Sequence, residues 1–533
     1  MDNTKATFVH DESSRTNEST IATSSPAPSQ GVTKLMMFFA AYIGFVGWSY
    51  NFDLGYSGIV LQMQSYNRAF GTCKPIMSQT GAPSETCTLT ALQQSLMAVS
   101  ILFISLGSGL AGIVGKYLGR RGTIQVGSVL VLAGAGGMVG TSGNFTAYIA
   151  CKCLQGLGLG HYVGSAPAYG VECMVPRKRG VLTAFFNCGL GMGNVVAAAV
   201  CLGTSSYTSN LAWQVPIICQ LPLAVILGAG VLYFPESPRW LLINGKMEDA
   251  RHSFARIYAK DPNSAEVTTE VQDVLRAIEF ERTTESVMKW TKIFEGVDLR
   301  RTLTSTLILV GLAITGSRFV AMYSTIFLAG VGISNPYTIN CIVATCAFIG
   351  SIPSPWIVEY GGRRFGLLAG YGGMTLCMLI IAAVGTGLGA ENPKAKSVLI
   401  AFLCLWSLIY GSCVGPSIST TAPEMHSVRL RTYGQAFATA LYEIFSFAAT
   451  FYTPYMLNAE YGNMGLNIGY FYFGLTLLIW VLVFAFVPET ARLSLEQIDK
   501  VFLSGTKPWK TSGKLNESQQ ATYLEELSHS LSK

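Results

Sequence analysis

The sequence predicts an all-α membrane protein, with twelve transmembrane helices in two six-helix bundles related by a parallel repeat. Three observations lead there. Half of the 533 residues are hydrophobic and only 12% are charged, where soluble domains carry roughly a quarter charged residues. The apolar residues gather into runs near the roughly 20 residues that a bilayer crossing requires. Short polar motifs recur in the same order in the two halves of the chain.

Taken in order, residues 1–35 are polar and rich in Ser and Thr, and read as a disordered cytoplasmic tail without a signal-peptide pattern. Six spans follow at 36–60, 91–115, 122–142, 147–168, 181–203 and 214–234, an N-terminal bundle covering 36–234. Residues 235–302 form a cytoplasmic linker. Within it "EDARHSFARIYAK" and "EVTTEVQDVLRAIEFERTTES" place apolar residues at helical spacing among charges, which predicts amphipathic surface helices. Six more spans, at 303–328, 339–358, 365–385, 398–419, 434–457 and 468–487, make the C-terminal bundle, and 488–533 is a second cytoplasmic tail.

An even number of crossings puts both termini on one side, and the distribution of Lys and Arg names it. Short loops on the terminal side hold Lys116, Arg120, Arg121, Arg177, Lys178, Arg179, Arg363, Arg364, Arg429 and Arg431. Those on the other side hold Arg68, Lys74, Lys394 and Lys396, so the termini are expected in the cytoplasm. The net charge of +6 sits in short clusters between apolar runs and predicts no nucleic-acid partner. Most of the 13 cysteines fall inside spans as small packing residues. Cys73 and Cys87 lie in the polar loop after the first span, where an extracellular setting permits a disulfide without requiring one.

The repeat is carried by three matched pairs, each offset by about 250 residues. "GIVGKYLGRR" at 112–121 answers to "PWIVEYGGRR" at 355–364, "VECMVPRKRG" at 171–180 to "APEMHSVRLR" at 422–431, and "FPESPRWL" at 234–241 to "VPETARLS" at 487–494. Parallel six-span repeats are the architecture of alternating-access carriers, in which two bundles rock about a site near the midplane.

"PESPRWLL" at 235–242, "PETARLSLEQID" at 488–499 and "FDLGYSG" at 52–58 resemble signatures of the sugar porter family of the major facilitator superfamily, its fungal members most. The resemblance covers about residues 36–503. It implies a proton-coupled importer of a sugar or sugar-like solute, working as a monomer in the lipid bilayer of the plasma membrane. An exporter of a secondary metabolite or toxin, or a carrier of an organic anion, is the alternative. No metal-ligand cluster, phosphate loop or nucleophile motif calls for an enzyme, a metal or a cofactor, and "GLGLG" at 156–160 lies inside span four, where close helix packing explains it. The resemblance also implies a cytoplasmic latch that breaks and reforms between states. Its residues would be Arg120, Arg121, Glu172, Arg177, Glu236 and Arg239 in one half, and Glu359, Arg363, Arg364, Glu424, Arg431 and Glu489 in the other. The family usually has an acidic residue where Lys116 stands, so the first latch departs from the pattern.

Four ionisable residues fall within spans: Asp53, Lys152, Arg318 and Glu443. On insertion scales each costs about 2.5–3.5 kcal/mol at the bilayer centre, which makes them functional candidates. Asp53 and Lys152 come at similar depth and can pair, either as a static ion pair or as the proton-coupling site that the resemblance implies. Lys152 stands where the family carries Arg, which removes a bidentate fork. Arg318 has three readings: a pair with Glu443, a substrate contact, or snorkelling outward.

The family's sugar-binding side chains are largely missing. Gly311, Leu312 and Ser317 take the places of span-seven amides, Ser419 that of a span-ten Trp, and Asn187 that of a span-five Gln. The remaining cavity candidates are Asn187, Asn194, Arg318, Tyr323, Ser324, Ser417, Ser419, Thr420, Tyr442 and Glu443. A hexose held by so few groups would leave buried hydroxyls unpaired, at about 1–3 kcal/mol each. The pocket residues therefore point to an unusual substrate, while the family resemblance keeps sugar import as the single best reading.

Overall fold

The computed structural model describes residues 33–77, 83–174, 179–285, 289–389, 392–427, 429–493, 495–505 and 507–511. Among the described residues, eight helical stretches are long and apolar enough to cross a membrane. One of them, Ala91–Val139, makes spans two and three by turning at Gly119. Pro336–Ser351 with Ser354–Gly361 makes span eight as a pair bent by 45°. Phe145–Glu172 and Arg431–Leu457, more polar but 28 and 27 residues long, are spans four and eleven and complete the twelve crossings. The others are Lys34–Val60 (one), Arg179–Thr204 (five), Leu211–Tyr233 (six), Gly296–Gly330 (seven), Arg363–Leu388 (nine), Pro393–Glu424 (ten) and Gly465–Phe486 (twelve).

Local chemistry sets where several spans begin. Thr33 caps span one through the Met36 amide. Thr90 and Gln93 form a capping box ahead of span two. Asn144, Asn335 and Asn392 cap spans four, eight and ten, the last two followed by a proline at the first helical position. Span seven starts at Gly296 and span ten runs on to Glu424, so both extend beyond their apolar runs.

The turns between spans two and three and between spans eight and nine show the repeat at atomic level. Gly119 has φ +76° and Gly362 φ +98°, a backbone that favours glycine. A Cβ on either would lie 2.5 Å from a carboxylate oxygen, of Glu236 and of Glu489 respectively. The "GLGLG" glycines pack against neighbouring helices: a Cβ on Gly160 would meet the Ile104 carbonyl oxygen at 2.2 Å. In the linker, Met247–Tyr258 and Ala265–Glu285 are amphipathic helices whose apolar faces join the core beneath the first bundle. On the other side, Thr72–Met77 and Pro83–Thr88 form an antiparallel hairpin that sets Cys73 opposite Cys87, and the two are disulfide-bonded.

Candidate functional site

The two bundles meet at the ends opposite the repeated Gly–Arg–Arg turns. Ser95 donates to the Phe451 carbonyl at 2.7 Å, and the Tyr323 hydroxyl sits between the carbonyls of Thr450 (3.0 Å) and Gln94 (3.4 Å). Gly58 lies so close to span seven that a Cβ would be 2.0 Å from the Met322 oxygen. Below this closure is a cavity of about 360 Å³ between the bundles. Span one lines it with Tyr50, Asn51, Leu54 and Gly55, and span five with Asn187, Leu190, Gly191 and Asn194. Ser317, Arg318, Ala321 and Met322 come from span seven, Phe348 and Ser351 from span eight, Tyr410, Pro416 and Ser419 from span ten, and Tyr442 from span eleven.

Span seven is not a continuous α-helix here. Ala313–Ser317 is a π-type turn with Gly316 at φ +94°, and Arg318 begins the helix beyond it. Such turns loosen the backbone ladder and recur at functional sites. Arg318 Nε donates to Ser446 Oγ at 2.8 Å and Nη2 donates to the Tyr442 hydroxyl at 2.6 Å, with the guanidinium 5.6 Å from the Tyr442 ring centre. Tyr442 and Ser446 are four residues apart on span eleven and so share one face. Glu443 is one step, about 100°, further round the helix. It stays within electrostatic reach of Arg318 but forms no ion pair with it and does not line the cavity. Of the three readings of Arg318, the pair with Glu443 is not formed: two hydroxyls take its place, and Arg318 lines the cavity.

Of the other cavity candidates, Asn187 and Asn194 face the space from one side of span five, two helical turns apart. Among the described residues their amides have no hydrogen-bond partner. Ser419 lines the space while its hydroxyl bonds back to the Pro416 carbonyl. Tyr323 and Ser324 do not line it. They lie on the other face of span seven, Tyr323 in the closure between the bundles and Ser324 bonded to Asn340 Oδ1 at 2.7 Å. Ser417 is buried towards Gly366 of its own bundle, and Thr420 bonds back to Pro416.

Sequence reading missed the aromatic wall of Tyr50, Phe348 and Tyr410, and missed Asn51, whose amide donates to the Leu190 carbonyl at 2.6 Å. Tyr410 stacks on Trp406 with centroids 5.5 Å apart and planes at 3°. It supplies a ring on span ten more than two turns outward of Ser419, a displacement that position-by-position matching does not detect.

One face of span one carries cavity residues and the other carries Asp53. Lys152 of span four donates to Asp53 Oδ1 at 2.6 Å, to the Tyr56 hydroxyl at 3.1 Å and to Gln155 Oε1 at 3.3 Å. Both side chains are only 2% exposed. Gln155 passes the network on to Gln220 of span six at 2.5 Å. The ammonium therefore has an acceptor for each of its three protons, all of them buried.

At the ends that carry the repeated Gly–Arg–Arg turns the two halves repeat one device. Glu236 accepts the backbone N–H of Arg120 (2.9 Å) and Arg121 (3.2 Å), and Glu489 accepts those of Arg363 (2.9 Å) and Arg364 (3.2 Å). Each glutamate thus caps the helix that starts after the positive-φ glycine. Arg120 then grips Glu172 through two bonds of 2.6 and 2.9 Å, whereas Arg363 reaches Glu424 by one of 3.5 Å. All of these bonds join helices within one bundle. Arg239 pairs with Glu281 of the linker instead, Glu359 is exposed outside the cluster, and Arg177 lies outside the described residues. Arg431 stands near Glu424 and Asp499. Sequence reading also missed buried Arg301, which donates to the Met425 carbonyl at 2.7 Å and to Asp499. Beside it, burial together with the charges of Arg301 and Arg431 pushes the His426 imidazole down to about 4.

Comparison with known proteins agrees with this architecture. The chain is 26% identical over 484 residues to a high-affinity fructose transporter of Schizosaccharomyces pombe, covering 90% of this chain and 89% of that protein. It is 27% identical over 496 residues to a high-affinity glucose transporter of the same yeast, covering 91% of each. A hexose transporter of Saccharomyces cerevisiae matches at 26% over 506 residues, 92% of this chain and 87% of that one. The fold matches the Escherichia coli xylose transporter in a partially occluded inward-open conformation, with a TM-score of 0.70 at 16% identity, over 86% of this chain and 99% of that one. The profile of the "Sugar (and other) transporter" family matches residues 37–502, and the chain belongs to that family.

Proposed function

We propose that this protein carries a monosaccharide across the plasma membrane by alternating access, coupled to an inward proton gradient. The observation that carries the proposal is the Asp53–Lys152 pair, set on the back of the helix whose front lines the cavity. A proton on Asp53 would cancel its attraction for Lys152 and loosen span one against span four, so that the gradient acts on the cavity wall through one helix. Solute would be held by the aromatic faces of Tyr50, Phe348 and Tyr410, with hydrogen bonds from Asn187, Asn194 and Arg318. Aromatic walls with a few convergent polar groups suit a sugar ring.

The relatives are named as fructose, glucose and hexose transporters, which favours a sugar over the metabolite-export and organic-anion readings. In this reading the carrier is a monomer with both termini in the cytoplasm.

The test is uptake of labelled glucose, fructose, a disaccharide and a sugar acid in a transporter-deficient yeast, with and without an inward proton gradient. The expected outcome is accumulation of a monosaccharide that depends on the gradient. Asp53→Asn should keep exchange of sugar across the membrane and lose accumulation. Gradient-driven accumulation at the full level in Asp53→Asn would remove the coupling role, and uptake of the sugar acid alone would remove the substrate assignment.

A further inference from the structure

The two halves differ at the second arginine of each repeated turn. In the C-terminal bundle the Arg364 guanidinium is enclosed. It donates to the carbonyls of Val487 and Phe484, and the Phe484 ring covers it with 5.3 Å between ring centre and guanidinium carbon. Trp509 then stacks on Phe484 with centroids 6.3 Å apart and planes at 7°, and Thr511 of the same segment accepts the Glu489 N–H at 2.8 Å. Residues after the last span thus close the surface over Arg364.

Among the described residues the equivalent place in the N-terminal bundle is open. Between spans three and six runs a groove of about 530 Å³, lined by Arg121, Gln125, Val126, Val129, Leu130 and Leu232. Among the described residues the Arg121 guanidinium donates only through Nη2, to the Leu232 carbonyl at 3.1 Å, and its Nε is buried without a partner. The carboxylate of Glu236 at the same end is occupied by the N–H groups of Arg120, Arg121 and Ser237. The guanidinium is therefore the group with donors to spare.

Apart from Gln125, the remaining wall is apolar and faces outward, with Val129 64% and Leu232 54% exposed. From Arg121 to Leu130 the groove follows nine residues of helix, about 14 Å at 1.5 Å per residue. That is close to half of the roughly 30 Å hydrocarbon core. A cation at the cytoplasmic rim above an apolar trough one leaflet deep is complementary to a molecule with a phosphate head and an acyl chain.

We propose that this groove binds one phospholipid of the cytoplasmic leaflet, with its phosphate on Arg121 and a chain along Val126, Val129 and Leu130. In the N-terminal bundle the lipid takes the place that Trp509 and Phe484 fill in the other.

Native mass spectrometry of the full-length protein, released from detergent micelles, tests this. The probes are dioleoyl phosphatidylglycerol, dioleoylglycerol (the same chains without phosphate) and inorganic phosphate. Wild type is expected to retain one phosphatidylglycerol and to hold dioleoylglycerol about tenfold more weakly, the worth of one charge-assisted hydrogen bond. Inorganic phosphate should not displace the lipid. Arg121→Gln and, independently, Val129→Trp, which fills the trough from a lipid-facing position, should each weaken retention about tenfold. Equal retention of the two lipids in wild type would remove the phosphate contact. Unchanged retention in Val129→Trp would reduce the lipid to the general annulus, and displacement by inorganic phosphate would make the groove an anion site instead. Each of these three results overturns the proposal, and Val129→Trp decides it even if Arg121→Gln fails to fold.

Discussion

Lys152→Met should destabilise this protein far more than the double change Asp53→Asn with Lys152→Met. In the native structure Asp53 is 2% exposed and its Oδ1 accepts from Lys152 at 2.6 Å. Removing the ammonium leaves a carboxylate in the membrane interior without its counter-charge, a change that costs on the order of 3–5 kcal/mol for a buried pair. Part of that cost is avoided if Asp53 takes up a proton, so the single mutant should lose its dependence on the proton gradient as well as stability. The double mutant removes both charges, keeps similar volumes, and leaves Tyr56 and Gln155 to bond to the new Asn; exchanging a buried ion pair for uncharged groups is often neutral. The expected interaction between the two substitutions is therefore about 2–4 kcal/mol in favour of the double mutant, above the roughly 0.5 kcal/mol scatter of independent sites. Thermal unfolding in detergent, followed by tryptophan fluorescence for wild type, both singles and the double, measures it. Destabilisations that simply add would show that the pair is not coupled energetically. The account of a dry, mutually dependent ion pair would then be wrong.

Three more outcomes follow from the geometry. Tyr442→Phe with Ser446→Ala removes both acceptors of Arg318 and should cost roughly 1.5–3 kcal/mol per charge-assisted bond, whereas Glu443→Gln should leave stability within about 1 kcal/mol; the reverse ranking would restore Glu443 as the partner. Gly362→Ala combines φ +98° with a Cβ 2.5 Å from Glu489 and should lower the melting midpoint by several degrees, at a strain of about 1–3 kcal/mol; a wild-type midpoint would contradict the capping geometry. His426 is buried neutral with its imidazole pushed down to about 4. The unfolded chain therefore binds a proton near pH 6.5 that the folded chain does not. Stability is complete above about pH 6.5 and declines as pH falls towards 4, by on the order of 2–3 kcal/mol. Melting midpoints measured from pH 7 to 4.5 should slope for wild type and slope less for His426→Asn; parallel curves would show that another group is responsible.

How much of this could be read from the chain depends on the range over which each feature is decided. Spans are local: about 20 apolar residues have no other solvent to meet, and a Thr, Asn or Pro at a helix start satisfies free N–H groups within one turn. The repeated Gly–Arg–Arg turns and the distant glutamates were legible because the motif occurs twice, each copy marking the other. The Asp53–Lys152 pair was legible because two charges at equal depth in hydrocarbon have few alternatives to each other.

The sequence alone determined the class, the twelve crossings, the repeat and the residues whose charges need partners. The tertiary structure alone decided which partners those are. Arg318 meets Tyr442 and Ser446, not Glu443, because the rotation of span eleven against span seven turns one face inward, and a shift of one residue is 100° of helix. Tyr323 and Ser324 left the cavity for the same reason, and Tyr410 entered it. Neighbouring helices, lipid and much of the cavity wall are alike apolar, so hydropathy does not say which face of a span meets which. That rotation is fixed by the packing of small residues and by hydrogen bonds between helices, which exist only after the bundle has formed.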